Sequence, residues 1–250
     1  MVSDWFVKRS NNSLVPIPCT PHIIGVRHKV EKSRAIIRFT LNIVKKSLIL
    51  KKKIPALILA STSRYRAEIL QRLQIPFAIA NPKTDETALS GELPVNTAQR
   101  LAELKAQSVA KLYTQSSIDT LVIGADQVAD LNGIHIGKPI TRDAAFLQLK
   151  SMCGEKLIFH TALVLIHAQS GRTHAKVVPT TVRLRDYSDA EISYYLDHEN
   201  ALDCAGSAKS EGLGAALIKQ MTSNDPTALI GLPLLALIDM LNAEGVKILQ

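Results

Sequence analysis

The sequence predicts an α/β fold: a mixed twisted sheet with flanking helices, arranged as two lobes around a cleft. Three observations carry this expectation. Short apolar runs of strand length alternate with segments of helical periodicity, the rhythm of a sheet covered by helices. A hairpin signal, Asn132-Gly133, breaks that rhythm in mid-chain. Two long strand-like runs, residues 157–168 and 173–185, then follow each other across a turn near Ser170-Gly171.

In chain order, ALILA (residues 56–60) reads as a short buried strand, and Ser61-Thr62-Ser63 supplies cap residues for a helix to about Leu73. Residues 77–80 form a second short strand. The polar stretch NPKTDETALSGELP is a loop, with Pro82, Gly91 and Pro94 as breakers. Residues 95–113 are the longest helix candidate, with Leu101, Leu104, Ala106, Val109 and Leu112 on its apolar side. LVIGADQVAD (121–130) opens as a strand buried on both faces from Leu121 to Ala125, then places Asp126 and Gln127 where the strand emerges. The hairpin around Asn132-Gly133 comes next. Thr141 caps a helix to about Met152, stopped by Gly154. After the two long strands, Ser188 and Glu191 form a capping box for a helix to about His198. Gly231-Leu232-Pro233 starts a final apolar helix, with Gly245 past its end. There is no internal repeat.

The chain of 250 residues has a net charge of +8, but the excess is local. Residues 1–53 hold 12 Lys/Arg against Asp4 and Glu31, a balance of +10; the remaining 18 Lys/Arg and 20 Asp/Glu give −2 for residues 54–250. The basic character therefore belongs to an N-terminal extension, residues 1–53, and the main domain, residues 54–250, has no nucleic-acid signature. The extension, with VRHKVEKSRAIIRFTLNIVKKSLILKKK, reads as a disordered tail or as upstream sequence joined by a mis-assigned start. A basic amphipathic helix for a membrane surface or nucleic acid, or a targeting sequence, is the alternative. No apolar run approaches the roughly 18–20 residues of a membrane span. Three dispersed cysteines (Cys19, Cys153, Cys204) without CxxC spacing argue against a disulfide framework or structural zinc, and point to a reducing, cytoplasmic setting.

Polar residues crowd the exits of three elements. In LASTSRYRAEIL, free N–H groups at a helix start, the hydroxyls of Ser61, Thr62 and Ser63, and the guanidinium forks of Arg64 and Arg66 suit phosphate, although Ser and Thr cap many helices with no such role. In GADQV, Asp126 is positioned to take a proton from water or to hold a metal ion, or merely to cap a turn. Lys138, just past the hairpin, can return to the same mouth; GIHIGKP is no Walker loop, because Pro139 stands where Ser or Thr should bind magnesium. In LDCAGSAKSEGLG, small residues allow close ligand approach ahead of Lys209, Ser210 and Glu211, with Gly212 and Gly214 keeping the segment tight. The seven histidines show no metal-ligand spacing, and His160 and His167 read as structural residues of a strand. No GxSxG elbow supports a serine hydrolase.

Together these segments resemble the Maf family of nucleoside triphosphate pyrophosphatases, over residues 56–245. The motifs stand in the family's order: LILASTSRYR, TDET, AELKAQSVA, VIGADQV with GKP, CAGSAKSEG and GLPL. DQV and KSEG resemble the branch that prefers 7-methyl-GTP; the dTTP/UTP branch has DT(V/I) and a Gln in place of Glu211. The resemblance implies a nucleotide-binding cleft in which Asp126 is the proton acceptor. It places Ser61, Arg66, Lys105 and Lys138 at the phosphate chain and Glu86 on the family's acid, near a divalent metal, magnesium or manganese. Tyr65, Gln127 and Glu211 fall on the positions that set base preference, with Tyr65 where this branch often has Trp. A homodimer is also implied.

The expected activity is hydrolysis of 7-methyl-GTP to 7-methyl-GMP and diphosphate, which keeps a modified nucleotide out of nucleic acids. An aromatic face at Tyr65 would favour the cationic base by about 0.5–2 kcal/mol, and the Glu211 carboxylate would add to that. The competing expectations are the same reaction on dTTP or UTP, and a non-enzymatic regulator of septation. Aromatic residues at only 4% speak against a stacking platform for nucleic acid.

Overall fold

β1 (Ala56–Ala60) forms where the sequence has its first uninterrupted apolar run, and it is parallel to both β2 (Phe77–Ala80) and β3 (Thr120–Leu131). The structure, a computed structural model, describes residues 54–249; the expectation for residues 1–53 lies outside the described residues. Helix α1 (Arg64–Gln71) links β1 to β2, and α2 (Pro94–Ala110) links β2 to β3. The chain continues through β4 (Ile134–Ile136), α3 (Arg142–Met152), β5 (Lys156–His167), β6 (Thr173–Leu184), α4 (Asp189–His198), β7 (Ile218–Ser223) and α5 (Leu234–Ala243). Single 3-10 turns lie at Ala205–Ser207, Leu213–Leu217 and Ala228–Ile230.

The seven strands make one mixed sheet in the order β2-β1-β3-β5-β6-β7, with β4 also on β3. β5 runs antiparallel along β3 from residue 121 to 130 and occupies one edge of it. The other edge is shared: β1 takes residues 120–123 and β4 takes 129–131. Among the described residues no strand lies beside 124–128 there, so the sheet is notched in its middle.

Local sequence explains the elements that flank this notch. Ser63 Oγ accepts from the Arg66 N–H and starts α1, Thr141 Oγ1 accepts from Ala144 N–H, and Ser188 with Glu191 closes a complete capping box on α4. Asn132 (φ 55°) and Gly133 (φ 86°) are both left-handed, as a type I′ turn requires. A Cβ on Gly124 would strike the Ala102 carbonyl and Ala106, so glycine lets α2 lie directly on β3. Alternation along β1 feeds two cores. Leu57 and Leu59 join Ile69, Leu121 and Leu237 beneath α1 and α5, while Ile58 and Ala60 join Ala102, Ala106 and Val164 beneath α2. A third core packs α3 and α4 through Leu149, Met152, Ile192 and Tyr195.

Three expectations need correction. The strand from Leu121 does not end at Asp126; pairing with β5 carries it on to Leu131, so Asp126 is a mid-strand residue beside the notch. The second helix runs from Pro94 to Ala110, and Leu104 and Leu112 lie 39% and 75% exposed instead of joining its buried side. β7 was not expected from IKQMTS, which lacks a buried face and exists through its long-range register with β6. His160 and His167 are structural, as expected, held by Asp130 (3.0 Å) and Asp119 (2.8 Å).

Glu244, at the end of α5, is 3% exposed and receives both Arg172 (2.7 Å) and His174 (2.9 Å) from the β5–β6 connection. The Arg172 hydrogen bond, outweighing burial, holds its carboxyl down at about 2. A depressed carboxylate stabilises the fold above its unfolded pKa and loses that contribution as pH falls toward the folded value. Thermal unfolding should therefore show stability lost between about pH 5 and pH 2, and Glu244→Gln should remove about 2 kcal/mol at pH 7 while flattening that acid limb.

Candidate active site

The notch in the sheet is the floor of a cleft of about 690 Å³. Its position follows from topology. β1 ends at Ala60 and its chain turns through Ser61–Ser63 into α1, leaving the edge of β3 bare at the carboxyl end of the parallel strands, where α/β sheets place ligands. Ser61, Tyr65, Arg66, Glu86, Lys105, Asp126, Gln127 and Lys138, all expected from the sequence, line it. Glu211 is exposed and is not among the lining residues.

Asp126 and Gln127 are neighbours in sequence but, in an extended strand, project from opposite faces of the sheet. Asp126 points to the α2 side. There the Lys105 ammonium, with its side chain 4% exposed, donates to Asp126 Oδ1 at 2.7 Å and meets Glu86 Oε1 at 2.7 Å. Dehydrating two charges costs several kcal/mol per ion, and a buried pair returns little net stability compared with apolar residues. The pair therefore belongs to chemistry more than to packing. Burial opposes charge on Glu86, but the Lys105 hydrogen bond and the charges of Lys105, Lys138 and Arg66 outweigh it and lower its pKa.

Gln127 points to the other face, onto the loop before α5. Its amide nitrogen donates to Thr161 Oγ1 and to the carbonyls of Ala228 and Leu229, each at 2.9 Å. Carbonyls only accept, so the nitrogen is fixed there and the amide oxygen is turned away from those carbonyls. The same loop holds Arg66: Nε donates to Gly231 O at 3.0 Å while Nη1 reaches Ser61 Oγ at 3.3 Å. Burial lowers the Arg66 pKa against the pull of Asp126 and Glu86, yet guanidinium stays charged in proteins. The loop in turn hangs on buried Asp225, which accepts from Thr227 and from the first N–H groups of α5, Leu235 at 2.7 Å and Ala236 at 3.3 Å.

Tyr65 forms the side wall. The Arg64 guanidinium lies 4.7 Å from its ring centre and Lys209 Nζ 5.9 Å. Lys209 is held by Glu199 at 2.8 Å, and Glu199 also accepts from Leu213 N at 2.9 Å. This bracket fixes the segment carrying Glu211 beside Tyr65. Burial pushes the Cys204 thiol up to about 11, so it is no nucleophile.

Sequence reasoning missed the carbonyls of residues 228–231, the Asp225 anchor, and the cleft residues Asn81, Thr97, His135 and Asp203. The Asx-type stretch Asn224-Asp225-Pro226-Thr227 was the available signal for the anchor. Among the described residues no group of three or more His, Cys, Asp and Glu is placed to hold a metal ion. Asp126 and Glu86, converging on one ammonium, nevertheless form a two-carboxylate oxygen donor set. That suits a hard cation that takes one or two carboxylates and completes its shell with phosphate oxygens and water.

A family model described as Maf-like protein matches residues 56–244. The chain belongs to the Maf family. Its similar relatives include proteins named 7-methyl-GTP pyrophosphatase. One from Methylobacillus flagellatus is 51% identical over 195 residues, covering 78% of this chain and all of the relative. One from Thiobacillus denitrificans is 52% identical (78% and 95% covered), and one from Aromatoleum aromaticum 53% identical (76% and 95%).

In this Maf domain, Lys105→Met should leave Asp126 buried without its cation. We expect a loss of about 3–5 kcal/mol in stability, read as a lower midpoint in denaturant unfolding. Asp126→Asn, which keeps a neutral acceptor for Lys105, should cost distinctly less.

Proposed function

We propose that the chain is a nucleoside triphosphate pyrophosphatase that hydrolyses 7-methyl-GTP to 7-methyl-GMP and diphosphate, keeping a modified nucleotide out of nucleic acids. The observation that carries this reading is the Asp126 carboxylate, fixed by a buried ammonium inside a cleft lined by Arg66, Lys105 and Lys138. A carboxylate base surrounded by cations is what attack by water on a polyphosphate needs. The names of the relatives supply the nucleotide.

Arg66, Lys138 and the Ser61 hydroxyl, with the N–H groups that open α1, clamp the phosphate chain. Lys105 holds Asp126 through Oδ1, so Oδ2 takes the proton of an incoming water. The water oxygen bonds to the α-phosphorus, the bond from that phosphorus to the α,β-bridging oxygen breaks, and diphosphate leaves with its charge met by the cations. A divalent cation, magnesium or manganese, would be held by Asp126 and Glu86 and would neutralise phosphate charge.

Base preference rests on Tyr65, Gln127 and Glu211. The Tyr65 ring already faces Arg64 and Lys209, so stacking alone offers a cationic base a reduced gain. Glu211 is then the group that favours the methylated base by charge, and the acceptor oxygen of Gln127 suits the N–H groups of a guanine edge. The family match over residues 56–244 supports placing the activity in residues 54–250, with residues 1–53 as a dispensable extension. Unpaired Cys153 and Cys204 support a reducing, cytoplasmic setting, and a homodimer rests on the family resemblance alone. No helix among the described residues is long and apolar enough to cross a membrane.

Release of diphosphate across 7-methyl-GTP, GTP, dTTP and UTP should be fastest for 7-methyl-GTP, and Asp126→Asn should lower kcat by about 10²–10⁴-fold. Glu211→Gln should narrow the ratio of kcat/KM between 7-methyl-GTP and UTP. A preference for UTP by the parent would assign the chain to the pyrimidine branch, and no turnover of any nucleotide would remove the enzymatic reading.

A further inference from the structure

His135, on β4, lines the cleft and has no part in the reaction described so far. Its Nε2 lies 2.8 Å from Thr97 Oγ1, near the start of α2. Thr97 has one hydroxyl proton, and Glu92 Oε2 stands 2.8 Å from it. Glu92 is itself clasped by Arg100, through Nε and Nη2 at 2.7 Å each, which holds its carboxyl down at about 2. A carboxylate accepts only, so the hydroxyl proton goes to Glu92. The hydroxyl oxygen must then accept from His135, which puts a proton on Nε2 and leaves Nδ1 uncommitted.

Among the described residues no other side chain hydrogen-bonds to Nδ1. Asp130, the cross-strand partner of His135, is engaged instead by the Gly133 N–H at 2.6 Å and by His160 at 3.0 Å. The charged groups that line the cleft with His135 are Arg64, Arg66, Lys83, Glu86, Lys105, Asp126, Lys138 and Asp203. Behind the ring stands the relay of Thr97, Glu92 and Arg100, which keeps Nε2–H aimed along it and turns Nδ1 away from it.

We propose that His135 is a phosphate-binding residue of this site: Nε2–H is locked on Thr97, and Nδ1, protonated from solvent as the polyanion enters, donates to a non-bridging oxygen of the nucleotide's phosphate chain. This rests on the triphosphate reading of the cleft and adds a fourth cation, present only with ligand, to Arg66, Lys105 and Lys138. Thr97 and Glu92 act as positioning residues, because they fix which nitrogen faces the ligand.

Inorganic tripolyphosphate, which has no base or ribose, is the probe. Titrated calorimetrically into the full chain at pH 6.0 and 8.5, it should bind the parent about tenfold more tightly than His135→Gln at pH 6.0, with the difference largely gone at pH 8.5. On the parent alone, the Nδ1 resonance of a ¹⁵N-labelled His135 should move to its protonated position when tripolyphosphate is added at pH 7. Equal binding by parent and variant at both pH values, or an unmoved Nδ1 resonance, overturns the assignment. If His135 governs tripolyphosphate binding but 7-methyl-GTP is not hydrolysed, the substrate reading falls and this one stands. If 7-methyl-GTP is hydrolysed with the parent's KM by His135→Gln, the reverse holds.

Discussion

The contact between the Lys105 ammonium and the Asp126 carboxylate is the interaction on which the site turns. It exists because Gly124 brings α2 against β3, so that a lysine on the helix face meets an acid two residues further along the strand. Were α2 farther away, Asp126 would be an uncompensated charge in a nearly closed environment, a cost of several kcal/mol. Were β1 to continue beside β3 past residue 123, ladder pairing would fill the space the substrate needs. Close packing on one face and missing pairing at one edge are thus two halves of the same arrangement.

The strand's pleat then separates the tasks. Asp126 faces α2 and Glu86, with Arg66 and Lys138 in the same cleft; Gln127 faces Thr161 and the carbonyls of residues 228–229. One strand fixes both side chains to within the stiffness of its ladder with β5, so the distance between the Asp126 carboxylate and the Gln127 amide is set by backbone geometry and not by loop conformation. The loop of residues 225–231 makes this rigid from the other side, since one buried aspartate anchors carbonyls that hold both Gln127 and Arg66.

What could be read from the sequence was what local chemistry determines. The left-handed pair Asn132-Gly133, the Ser188–Glu191 box and the Thr141 cap depend on residues within a turn of one another, and each appears as expected. β7 could not be read, because IKQMTS becomes a strand only by adding to the edge of β6. Lys105 carries no local mark either: within AELKAQSVA it looks like a solvated helical lysine, and only resemblance singled it out before the fold showed it buried. His135 carries no ligand spacing in the sequence. Its partner Thr97 lies 38 residues away, and no one-dimensional pattern reports that contact.

Charge explains why the site tolerates so many ionic groups. Arg64, Arg66, Lys83, Lys105 and Lys138 line the cleft with Glu86, Asp126 and Asp203, an excess of two positive charges, which is less than the charge of a triphosphate. On the proposed reading, further positive charge arrives with the ligand, from a divalent cation at the two carboxylates and from a proton on His135. A fixed set of cations large enough to neutralise a polyphosphate would also bind diphosphate tightly and retain the product. Making part of the charge conditional on the full phosphate chain lets the site grip its substrate and release what remains.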